Sequence, residues 1–294
     1  MKPLTITALL DAARQALQGT VEEPVREAQA LICAVTGLSR AALFARADEP
    51  VDASIWQRCE QALDRRCAGE PLAYIVGRRG FWTLDLEVTP AVLVPRPESE
   101  LLVERALRHG DAAADGGEPC RVLDLGTGSG AIALAIASER PAWQVTGVDL
   151  SGAARAVALR NAQRHGLARV RLLEGSWFEP VADERFEIVV ANPPYVAAED
   201  AALNDPALLH EPRLALTPGP DALAALRQIA QQAPAHLAAG GWLLLEHGAG
   251  QGIAVRALLE ARGYAHVGSH CDLAGHERVT EGRWSGDPAG QLHR

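Results

Sequence analysis

Residues 121–139, RVLDLGTGSGAIALAIASE, decide the fold. A short apolar run, 121–125, gives way to a turn in which glycine recurs at Gly126, Gly128 and Gly130, and then to a proline-free segment rich in alanine and isoleucine, 131–139. Strand, glycine turn and helix in that order open a parallel sheet with helical crossovers. Glycines spaced by two allow positive φ and let backbone approach a ligand closely. The next apolar run, 143–148, ends in Asp149, the place where an acid commonly takes a ribose hydroxyl.

That layout serves NAD, FAD and S-adenosylmethionine alike. Two details favour S-adenosylmethionine. The turn reads DLGTGSG over 124–130 rather than G-x-G-x-x-G, and no second nucleotide-binding half follows it. Further strands are expected at 170–173, 186–191, 241–245, 264–267 and 277–284, which completes a seven-stranded, doubly wound α/β sheet. In the usual order 3-2-1-4-5, the strand ending at Gly126 lies beside the one ending at Asn192, and two ligands would meet across one crevice.

The second of those strand ends, FEIVVANPPY over 186–195, carries its own chemistry. Each proline locks φ and removes a backbone donor, so the strand must stop here, at an edge of the sheet. The residue before a proline is held extended, which stiffens Asn192 and the Pro193 carbonyl. Two acceptors, one amide donor and the flat face of Tyr195 suit a planar amide or an aromatic amine. No histidine or carboxylate lies within the motif, and no general base is assigned.

Upstream, 5–17, 24–36, 40–44 and 54–68 carry apolar residues at helical spacing and stop at glycines such as Gly19, Gly37 and Gly69. Residues 1–73 therefore read as a small helical domain for substrate docking, and 74–94 as a β-hairpin linker. In PRPESE, 95–100, two prolines hold Arg96 on display, and Pro97 opens a helix over 98–109. The stretch 110–119 reads as a mobile loop, 95–285 as the catalytic domain, and 286–294 as a tail. Residues 196–220 follow the proline pair directly, and their Glu211 and Arg213 are candidates to order over a substrate.

The chain has 294 residues, 48% of them apolar, a net charge of −9 and a pI near 5.5. An acidic total with Lys2 as the sole lysine argues against a protein that grips DNA by its phosphates. No window is long and apolar enough for a membrane span, so a cytoplasmic protein is expected. Five cysteines, Cys33, Cys59, Cys67, Cys120 and Cys271, form no Cys-x-x-Cys pair and read as buried thiols in a reducing compartment. His266, His270 and His276 near Cys271 lack a zinc spacing, and no metal is expected. Glu246 and His247 after the 241–245 run read as structural.

The set PRPESE, VLDLGTGSG, VDLS, SWFEP, VANPPYV, HEPRLAL, LLLEHG and HERVTEGRW resembles the release factor glutamine methyltransferases from about residue 69 to 284. NPPY alone is shared with enzymes acting on adenine or cytosine; PRPESE together with EPRLAL is more particular. The resemblance implies a class I methyltransferase sheet and transfer of a methyl group from S-adenosyl-L-methionine to the side-chain amide N5 of glutamine. The acceptor would be the Gly-Gly-Gln motif of peptide chain release factors 1 and 2, in support of translation termination, and S-adenosyl-L-homocysteine would be left. It further implies that Gly126, Thr127, Gly128, Ser129 and Gly130 wrap the cofactor, Asp149 binds its ribose, and Trp177 packs on its adenine. Asn192 would touch cofactor and substrate, with Pro193, Pro194 and Tyr195 shaping the glutamine pocket and Arg96 and Glu211 beside it. Ser176 stands where many relatives carry an aspartate, which removes that acid's contact to the adenine amino group. His210, where an aromatic residue is common, is expected to alter packing near the substrate mouth. The alternatives are an N6-adenine methyltransferase of DNA or RNA, a ribosomal-protein glutamine methyltransferase, and a non-catalytic protein retaining the fold. No DNA or membrane partner is expected, and the assembly is expected to be a monomer.

Overall fold

The computed structural model describes residues 4–114 and 119–286. They divide into two compact units, Met1–Arg78 with Asn204–His210, and Arg79–Leu203 with Glu211–Arg294. In the first unit, α1 (Ile6–Leu17) starts where the Thr5 hydroxyl accepts from Ala8 N at 3.2 Å. Helix α2 (Pro24–Thr36) opens on proline and stops at Gly37, whose φ of 73° lets its N–H return to Cys33 O at 2.8 Å. Helices α3 (Arg40–Ala45), α4 (Ala53–Cys67) and α5 (Leu72–Val76) follow. Leu9, Leu17, Leu31, Ile32 and Leu43 form this unit's core, and a two-pronged Arg66–Glu27 pair at 2.6 and 3.2 Å ties α4 to α2. Tyr74, expected in a hairpin, lies instead in α5, which Gly77 closes at φ 77°.

The paired strands β1 (Arg78–Phe81), whose first residue is the last of the first unit's main segment, and β2 (Leu84–Glu87) follow. A 3-10 turn, Pro97–Ser99, leads into α6 (Glu100–Ala114), longer than the helix expected at 98–109. Gly110 is helix interior rather than the start of a loop, because a Cβ there would lie 2.2 Å from the Trp143 ring; glycine makes room for the indole. Residues 115–118 of the expected loop, and 287–294 of the expected tail, lie outside the described residues.

The main sheet is built from β3 (Arg121–Leu125), β4 (Gln144–Asp149), β5 (Arg171–Glu174), β6 (Phe186–Ala191), β7 (Leu237–Glu246), β8 (Ala265–Cys271) and β9 (Glu277–Arg283). Its order is β5-β4-β3-β6-β7-β9-β8, so the first five strands take the expected 3-2-1-4-5 arrangement. They pair in parallel, and β9 runs antiparallel to both its neighbours. Helices α7 (Ala131–Glu139), α8 (Gly152–Arg164), α10 (Ala224–Gln232) and α11 (Gly252–Ala261) supply the crossovers, with the short α9 (Arg213–Leu216) between them. Alternate residues of the central strands enter two core layers. Val122, Ile188 and Val190 pack with Leu102 of α6 and Leu134 of α7, while Leu123, Leu125 and Val189 pack with Ile229 of α10 and Val255 of α11.

β6 is an interior strand, not a lateral edge of the sheet. Its proline pair begins only after the last paired residue, Ala191, so the ladder loses no donor. The register fixes what comes next. Leu125 sits opposite both Val148 and Ala191, so Gly126, Asp149 and Asn192 leave three neighbouring strands at one rim. Among the cysteines, Cys59 and Cys120 are buried, but Cys67 and Cys271 are exposed, one at the last residue of α4 and the other at the end of β8.

Candidate active site

At that rim lies a cavity of about 220 Å³. Its floor is the turn after β3. Gly126, Gly128 and Gly130 all take positive φ (73°, 56° and 85°), where a side chain is strained. The N–H groups of Gly126 and Thr127 donate to Val148 O at 2.8 and 3.0 Å. Gly128 N donates to Asp149 Oδ2, and Ser151 N to Oδ1, both at 2.8 Å. A Cβ on Gly130 would fall 2.9 Å from Leu134, whereas one on Gly126 would meet only Trp177 and Asn192 at 3.9–4.0 Å and would stand in the cavity itself.

Beneath the turn, Asp124 is sealed from solvent. Burial pushes its carboxyl up to about 7 against the pull of the Thr127 hydroxyl (2.7 Å) and Ala133 N (3.2 Å), and its Oδ1 has no partner. Burial also raises the Asp149 carboxyl, opposed by the Ser151 and Gly128 N–H groups. Trp177 forms a wall beside Gly126; its backbone is held at φ 46° and its Nε1 donates to Gln228 at 3.2 Å. Ser176 lines the cavity next to it.

The opposite wall is Asn192, Pro193 and Pro194. Asn192 Nδ2 donates to the Ser99 hydroxyl at 3.0 Å. Tyr195 is not part of the lining. Its hydroxyl faces Glu246 Oε1 at 3.5 Å, its carbonyl accepts from Gln251 at 2.9 Å, and burial raises its phenol. Arg96 does line the cavity, and its guanidinium is paired with Glu211. Glu211 itself is buried behind it, with its second oxygen accepting from Val94 N at 3.0 Å. Pro212, Leu214 and Ala215 contribute to the lining, and Arg213 does not. His210 belongs to the 3-10 turn Leu208–His210 of the helical unit, with Glu70 as a charged neighbour.

Three residues here were not functional candidates in the sequence. Ser99 sits inside PRPESE but looks like filler between two acids. Glu246, 2% exposed, is tied to Tyr195. Asn161, fully buried in α8, grips Glu87 N and O at 2.7 and 3.0 Å and Ser129 O at 2.9 Å, clamping β2 to the glycine turn. An asparagine on a helical face otherwise lined by alanine and valine is the one hint of that clamp. No group of His, Cys, Asp and Glu that could hold a metal ion occurs among the described residues, and no described helix is long and apolar enough to cross a membrane.

Residues 8–77 match the model of the PrmC N-terminal domain, and 99–221 that of the methyltransferase small domain. The release factor glutamine methyltransferase of Xylella fastidiosa (strain Temecula1) is 48% identical over 279 residues, spanning 95% of this chain and 98% of that one. The chain belongs to the release factor glutamine methyltransferases. A second member, from Bordetella pertussis, is 50% identical over 262 residues, covering 88% of this chain and 94% of its own. The methyltransferase of Pyrococcus furiosus superimposes with a TM-score of 0.51 at 20% identity, over 69% of this chain and 90% of that one, which shows the class I methyltransferase fold. As a member of this family, the protein is a methyltransferase whose cofactor is S-adenosyl-L-methionine.

Proposed function

We propose that the protein transfers a methyl group from S-adenosylmethionine to the side-chain amide nitrogen of the glutamine in the Gly-Gly-Gln motif of peptide chain release factors 1 and 2, supporting translation termination in the cytoplasm. The adjacency of Gly126, Asp149 and Asn192 around one cavity supports methyl transfer to a planar NH2 group, and 48% identity to a release factor glutamine methyltransferase carries the choice of acceptor. The residues fit the donor. Gly126 leaves open a space that a Cβ would fill, and each Asp149 oxygen keeps a lone pair beyond its one backbone bond, enough to accept ribose hydroxyls. Trp177 offers an indole face for the adenine. When bound, the donor's sulfonium supplies an activated methyl group.

The chain's own task is the amide. Its nitrogen is a poor nucleophile because its lone pair is shared with the carbonyl, the resonance behind a rotation barrier of roughly 18–20 kcal/mol in peptides. Asn192 Oδ1 and the Pro193 carbonyl accept from the NH2 group and favour its pyramidal, reacting shape over the planar ground state. Pro193 and Pro194 keep those acceptors still, and such alignment is worth on the order of 7–11 kcal/mol. Tyr195 packs behind the prolines, and Arg96, steadied by Glu211, guards the mouth. The helical unit serves as the docking module, and the working species is a monomer.

Incubation with labelled S-adenosylmethionine tests this against four acceptors: release factor, its Gln-to-Ala motif variant, ribosomal protein and duplex DNA. Label in the first alone is expected. Label in ribosomal protein or DNA, with none in release factor, would overturn the assignment.

A further inference from the structure

Asn192 works only if its side-chain amide points the right way round. Its oxygen must face the substrate NH2; turned over, it would set one donor against another. Within the amide nothing distinguishes the two orientations, so the choice falls to its neighbour, the Ser99 hydroxyl, 3.0 Å from Nδ2. A hydroxyl has one proton. If that proton goes elsewhere, Ser99 can only accept, and Asn192 must turn its nitrogen toward Ser99 and its oxygen toward the cavity.

The acceptor for that proton is a carboxylate. Glu246 ends β7 one residue beyond Leu245, which pairs with Ala191, so Glu246 and Asn192 leave adjacent strands side by side. Glu246 is 2% exposed and its Oε2 is buried without a hydrogen-bond partner. The Tyr195 phenol faces its Oε1 at 3.5 Å, and the Ser99 hydroxyl is the other neutral side-chain group near enough to favour its ionised form. A buried carboxylate with an unused oxygen is costly to keep ionised unless a donor reaches that oxygen, and the Ser99 hydroxyl, bonded to Asn192, is the donor placed to do so.

We propose that Glu246, acting through the Ser99 hydroxyl, is the positioning residue that sets the orientation of the Asn192 amide and so presents its oxygen to the substrate NH2. This rests on the role given to Asn192 above. The relay has a proton-dependent polarity. An ionised Glu246 accepts a hydrogen bond from the Ser99 hydroxyl and so holds Asn192 in the working orientation. A protonated Glu246 no longer demands that proton, Ser99 is free to donate to Asn192 Oδ1, and the amide turns over.

Burial brings this change into the neutral range by pushing the Glu246 carboxyl up to about 7. Ser99 opposes that rise, Glu98 adds to it, and Arg278 and Tyr195 oppose it in turn. His247, the next residue, is engaged away from the relay, with Thr280 Oγ1 at 2.8 Å and Gly248 O at 2.9 Å.

Two readouts test the relay. In turnover, Ser99→Ala is expected to lower kcat roughly ten- to hundredfold with cofactor affinity by calorimetry retained, and Ser99→Thr, which keeps the hydroxyl, to recover most of it. The wild-type kcat is expected to rise with pH through about 7, and Glu246→Gln to lose that inflection while keeping part of the activity. In the second readout no substrate is needed. The Asn192 side-chain NH2 signals in a proton–nitrogen NMR spectrum, assigned by their loss in Asn192→Asp, are expected to titrate near pH 7 in the wild type and stay flat in Glu246→Gln. If release factor takes up no label, the substrate assignment fails while the NMR titration still decides the relay. Flat Asn192 signals in the wild type, or unchanged kcat and pH profile in both Ser99→Ala and Glu246→Gln, would overturn it.

Discussion

The two walls of the cavity are built by different means. The cofactor side is mainly backbone: the Gly126 and Thr127 N–H groups donate to Val148 O, and the Gly128 N–H to the Asp149 carboxylate, at the end of the neighbouring strand. The amide side is held by side chains distant in sequence: Asn192 by Ser99, Arg96 by Glu211, Tyr195 by Glu246. A backbone-built site needs only the right φ angles, which glycine supplies locally. A side-chain-built site needs partners that only the folded chain brings together. Substitutions on the first wall should therefore act on binding, and substitutions on the second on turnover and local stability.

The largest effect is expected at Asn192. Asn192→Ala should lower kcat by roughly 10²–10³-fold, the scale of losing one positioned polar group at a reacting centre, while calorimetry still detects the cofactor. Unchanged turnover would remove that side chain from the mechanism. Gly126→Val should do the reverse. It places a branched side chain at φ 73° and into the cavity, and cofactor affinity should fall roughly ten- to hundredfold. Equal losses of binding in both variants would erase the contrast between the walls.

Glu211→Ala should act on stability. It leaves Val94 N without its acceptor and Arg96 without its partner, a cost of about 1–3 kcal/mol by urea unfolding. Glu211→Gln, which retains an acceptor, should recover part of it. The smallest effect is expected at Trp177→Ala, with cofactor affinity falling only severalfold, since an aromatic face is worth about 0.5–1.5 kcal/mol beyond its buried area. A hundredfold loss there would mean that the indole, not the glycine turn, dominates the cofactor side.

The same contrast explains what could be read in the chain before it was folded. β3, α7 and β6 were delimited to the residue, because strands covered on both faces are continuous apolar runs and the glycine turn and proline pair punctuate them. β7 begins at Leu237, four residues before the expected 241, since Leu-Ala-Ala-Gly lacks the branched residues that mark a strand and its pairing slips between Phe186 and Ile188. Gly110 looked like a helix stop, and only Trp143, far along the chain, makes it a helix residue. At the site, Gly126, Asp149, Asn192 and the prolines stood out by type and spacing and Trp177 only through the family resemblance, and all of them line the one cavity. Ser99, Asn161 and Glu246 were not, because each acts through a partner between 32 and 93 residues away. Glu211 was legible as a candidate, but not as the buried tether of Arg96.

The central claim is that the cavity joins donor and amide at Asn192. Its most direct measurement is mass spectrometry of release factor after reaction with labelled S-adenosylmethionine, locating the methyl group by peptide fragmentation. The account predicts a single labelled methyl on the side-chain amide of the Gly-Gly-Gln glutamine with the wild-type protein, and a rate of labelling lower by roughly 10²–10³-fold with Asn192→Ala under conditions where that variant still binds the cofactor. A methyl group on any other residue, or equal labelling by Asn192→Ala, would contradict it.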